Sequence, residues 1–84
     1  MLPTSTPTIL SKGDEVQIVW PSEGLRIGIS EGAIHRAMGS PKSKASQTRR
    51  EEYVDENMGR IISIAKDRLL SAGDGYVRID AGEL

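Results

Sequence analysis

The 84 residues suffice for one small domain with a thin core: the chain has no Phe and no Cys, and its aromatic residues are Trp20, Tyr53 and Tyr76. With 11 basic against 12 acidic side chains the net charge is −1, so no global field draws the chain toward nucleic acid or membrane. Disulfides and thiolate metal sites are excluded, no apolar run approaches the roughly 20 residues of a membrane span, and the N-terminus lacks the basic start and apolar stretch of a signal peptide; a cytoplasmic setting is expected.

Taken in order, MLPTSTPT at 1–8 is rich in Pro and Thr without periodicity and reads as the start of a flexible N-terminal arm, drawn here over 1–12, ahead of a single domain over 13–84. Ile9 and Leu10 also offer a short edge strand turned back at 11–14. Over 15–20, Val16, Ile18 and Trp20 alternate with Glu15, Gln17 and Val19, and over 25–30 Leu25, Ile27 and Ile29 alternate with Arg26, Gly28 and Ser30. Pro21 and Gly24 frame the turn between the two runs, which predicts a β-hairpin. Ser30 then caps a short helix over 31–38 that Gly39 ends, with Ala33, Ile34, Ala37 and Met38 inward and His35 and Arg36 outward.

After a polar loop over 40–47, the stretch 48–73 reads as one long amphipathic helix. Val54, Met58, Ile61, Ile62, Ala65, Leu69 and Ala72 form its apolar stripe, widened by Tyr53 and Ile64. Thr48 and Glu51 carry the spacing of a capping box, Gly73 is placed to close the helix in the left-handed conformation, and Gly59 marks a slight bend or a close neighbour. Residues 76–80 close the chain as a strand with Val77 and Ile79 buried. The expected fold is α+β, in the order β-β-α-α-β, with a three-stranded antiparallel sheet and one short and one long helix on one face.

Chemistry is scarce. The lone His35 has Glu31 four residues before it but no second pair of ligands and no convergent nucleophile, so no catalytic, cofactor or metal residues are assigned and the chain is read as non-enzymatic. Glu51, Glu52, Asp55 and Glu56 are explained by a solvated helix N-terminus. Gly24, Gly28 and Gly32 are evenly spaced but lack the Lys-Ser/Thr of a phosphate loop.

Two functional readings compete. The leading one is a small module that binds protein, itself included, with Tyr53, Ile64 and the off-stripe Leu70 as the candidate interface. The runner-up is a nucleic-acid-binding regulator using Arg36, Lys42, Lys44, Arg49 and Arg50, which lie in a segment without acids; a Lys- and Ser-rich inter-helix loop neutralised by nearby acids accounts for it more simply. No membrane partner is expected.

Three stretches, LRIGISEGAI, NMGRIISIAKDRL and YVRIDAGEL, resemble the short bacterial proteins of the domain of unknown function 1488 family. Together the similarity spans 16–84. The chain departs from the family at Ile29, where many members have a Cys, and at Tyr53 in place of a Phe. The resemblance implies a fold and a bacterial cytoplasmic setting; it brings no catalytic or binding residues.

Overall fold

The period-two patterns do form strands, and four of them make one sheet in the order β1-β2-β3-β4: Thr8–Lys12, Glu15–Trp20, Leu25–Ser30 and Tyr76–Ile79. The computed structural model describes residues 5–43, 45–80 and 82–84. β2 and β3 pair antiparallel with Trp20 opposite Leu25, across a single 3-10 turn at Pro21–Glu23 that Gly24 closes at φ 66°. Thr8–Lys12, expected inside the arm, instead pairs antiparallel with β2 as the edge strand, and Gly13 at φ 62° opens the two-residue turn between them. Of the rest of that arm, residues 5–7 form no strand or helix and the Ser5 carbonyl accepts from Trp20 Nε1 at 3.2 Å, while residues 1–4 lie outside the described residues.

The larger correction concerns β4, which runs parallel to β3, with Arg26 beside Tyr76 and Ile29 beside Ile79. A parallel neighbour requires a crossover, and three helices supply it: α1 Glu31–Ala37, α2 Gln47–Glu56 and α3 Met58–Ser71. The α2–α3 run returns the chain to the end of the sheet where β3 begins. There the Arg26 N–H donates to the Gly75 carbonyl at 2.7 Å. Gly75 has φ 72°, and a Cβ on it would lie 2.4 Å from the Gly24 carbonyl oxygen, so a side chain would block this approach.

The expected single helix is thus two. Asn57 leaves helical geometry at φ −113°, and its Nδ2 donates to the Tyr53 carbonyl at 2.9 Å, which its own backbone N–H also reaches. The bend falls at Asn57 rather than Gly59, where a Cβ would meet open space. Ser46, not Thr48, caps α2, its Oγ accepting from the Arg49 N–H at 3.1 Å. Glu51 is therefore not half of a capping box; it accepts from Ser11 Oγ at 2.6 Å and ties α2 to β1. At the far end Ala72 is extended, and the left-handed turn expected of Gly73 belongs to Gly75.

The core lies on one face of the sheet. Val16, Ile18, Trp20, Ile27, Ile29, Val77 and Ile79 from the strands pack with Ala33, Ile34, Val54, Ile61, Ala65 and Leu69 from all three helices. The cross-strand pairs put Leu10, Gln17, Gly28 and Arg78 on the opposite face. No described helix covers it.

Candidate functional site

On that helix-free face the side chains satisfy one another. Gly28 provides the floor: a Cβ there would fall 2.6 Å from Glu15 Oε2 and 2.7 Å from the Tyr76 hydroxyl. The Glu15 carboxylate accepts from Tyr76 O–H at 2.8 Å, from Gln17 Nε2 at 2.7 Å and from the Arg78 guanidinium at 3.2 Å. Arg26 stacks on the Tyr76 ring, 4.9 Å from its centroid. Burial, then the bond to Glu15, pushes the Tyr76 phenol above its ordinary value. Toward β1 the same face becomes less polar, with Leu10 and Val19 half-buried on adjoining strands.

Where β3 runs into α1, a cleft of about 760 Å³ opens. Ser30 ends the strand and caps the helix, its Oγ accepting from the Ala33 N–H at 3.1 Å, while the Asp14 carbonyl accepts from the Glu31 N–H at 2.8 Å. The hairpin turn is thereby fastened to the helix start. Two charge clusters border the cleft. In one, Arg78 reaches Asp80 at 3.0 Å, Glu15 at 3.2 Å and Asp14 at 3.5 Å. Asp80 foremost, and then Asp14, raise the guanidinium's pKa. In the other, Arg50 donates to the Ala45 carbonyl and lies 3.7 Å from Glu31, with Lys42 and His35 on the same wall.

Part of the basic segment is engaged with acids. Arg49 pairs with Glu56 at 3.0 Å and Arg50 with Glu31, whereas Arg36 and Lys42 make no ion pair among the described residues; Lys44 lies outside them. The expected interface residues differ in exposure. Tyr53 and Ile64 are half-buried against the core, and Leu70 alone of the three stands out, 51% exposed. Among the described residues no group of three His, Cys, Asp or Glu is placed to hold a metal ion, and no helix is long and apolar enough to cross a membrane.

Asp14, Glu15, Tyr76, Arg78 and Asp80 were not legible as a group, because 60 or more residues separate the bonded pairs of Glu15 with Tyr76 and of Asp14 with Arg78. The available signal was Gly28, a lone glycine within a strand, which marks a close approach to the backbone. No protein-family model matches the chain, and no curated protein or solved structure matches it.

Proposed function

We propose that this protein is a small non-catalytic interaction module that binds protein, a second copy of itself included, along the edge of β1. The observation that supports the reading is the state of that edge. β1 ends the sheet, its outer side pairs with no described strand, and its sequence TILSK contains no proline, no bulge and one charge, at its end. Edges of monomeric proteins are ordinarily blunted by such devices.

Two copies meeting antiparallel about Leu10 would continue the sheet across a two-fold axis. Leu10 would then face its own counterpart, with Val19 beside it on the same sheet face. Leu70 is too isolated to carry an interface, and the engaged arginines leave the nucleic-acid reading the weaker. Kinship with the domain of unknown function 1488 family is part of the proposal, supported by LRIGISEGAI forming a strand that runs into a Ser30-capped helix.

Sedimentation equilibrium of the full chain tests this, alone and with mixed-sequence duplex DNA at low salt. A concentration-dependent dimer that Leu10→Lys converts to monomer, with an unchanged far-UV circular dichroism spectrum, is expected. A strict monomer at high concentration overturns self-association. Salt-dependent cosedimentation with DNA would move the function to the basic segment.

A further inference from the structure

We propose that the cleft between α1, the loop before α2 and the end of β4 binds a small amphoteric ligand, its cationic group at Asp14 and Asp80 and its anionic group at Lys42 and His35. This site is separate from the β1 edge and does not depend on it.

The argument is one of unequal charge. On the β4 side three carboxylates, Asp14, Glu15 and Asp80, share the single guanidinium of Arg78, so that side keeps an excess of negative charge. Asp14 and Asp80 are also the open members of the set, with 74% and 61% of their side-chain surface exposed against 9% for Glu15. On the α2 side, among the described residues, two cations, Lys42 and Arg50, border the cleft with one carboxylate, Glu31, and Arg50 is already committed to it and to the Ala45 carbonyl. Lys42 makes no ion pair among the described residues. One wall is therefore acidic and the other basic.

A ligand with a single charge would gain at one wall and be repelled at the other, whereas a zwitterion gains at both. The volume, about 760 Å³, falls in the range that holds small molecules. A ligand with an ammonium or guanidinium at one end and a carboxylate or phosphate at the other, of the size of a short peptide, meets these conditions.

The test uses the full chain, labelled with 15N, and triglycine as the zwitterionic probe, with N-acetyl-triglycine and triglycinamide as probes lacking one charge each. Triglycine is expected to shift the amides of Gly32, His35, Lys42 and Ala45 in a saturable way, and each blocked probe to bind about tenfold more weakly, the value of one charge-assisted hydrogen bond. Lys42→Ala should weaken triglycine about tenfold yet leave triglycinamide unchanged, and Asp80→Asn should spare N-acetyl-triglycine. No saturable shifts, or equal binding of all three probes, overturns the proposal. Both substitutions are at exposed side chains, so the fold survives them and the comparison stays interpretable.

Discussion

Gly28 and Tyr76 show how single residues set the helix-free face. A methyl group at Gly28 must displace both the Glu15 carboxylate and the Tyr76 hydroxyl, which are hydrogen-bonded to each other. Gly28→Ala is therefore expected to destabilise the fold by about 1–3 kcal/mol in urea denaturation, as overpacking does elsewhere. Tyr76→Phe removes one of three donors to Glu15 and should cost about 1–2 kcal/mol at neutral pH. Its larger signature is in pH. The folded phenol is held above its ordinary value of 10.0, so its neutral form is favoured in the fold. That contribution is full below pH 10.0 and is lost as pH rises through the raised value. Urea midpoints of the wild type should fall more steeply above pH 10.0 than those of Tyr76→Phe. Parallel curves would mean that the bond to Glu15 does not form in solution.

The elements show which local signals decide and which do not. Hydrophobic period placed the β2–β3 hairpin and the buried hand of Val77 and Ile79, because a one-residue slip would expose an entire strand face. Helix ends were less legible: Thr48 and Glu51 have the spacing of a start, but Ser46 caps the helix and the Glu51 carboxylate accepts from Ser11, 40 residues away in sequence. Ser46→Ala should accordingly cost about 1 kcal/mol and Thr48→Ala close to nothing, a contrast that thermal melts of the two variants resolve. The bend had a similar cause. Asn57 competes for the Tyr53 carbonyl with its own side chain, an effect that propensity does not register, while Gly59 sits in open helix. Gly59→Ala should then stabilise the protein by about 1 kcal/mol, since the glycine serves no close contact.

At the scale of the molecule, the helices lie on one face of the sheet as expected, whereas the direction of β4, expected antiparallel, was not legible in the sequence. β4 could be assigned a buried face from its own residues, but its direction depends on which end of the sheet α3 reaches. That in turn depends on α1 being too short to cross the sheet and on Gly75 admitting the chain beside Gly24. The cleft and its divided charge follow from the same crossover, which sets Arg78 and Asp80 next to the β1–β2 turn. One-sidedness also fixes where protection against amide exchange should lie. β2 and β3 are paired on both sides and covered by helices, so their amides should exchange most slowly, through opening close to global unfolding. β1 is bonded on one side, and its outward amides pair with no strand among the described residues. In a monomer they should exchange fast at every protein concentration. If two copies pair along this edge, those same amides gain protection as concentration rises and lose the gain in Leu10→Lys, while β4 stays unchanged in both. Hydrogen exchange at two concentrations separates an edge that binds its own kind from one that is merely exposed.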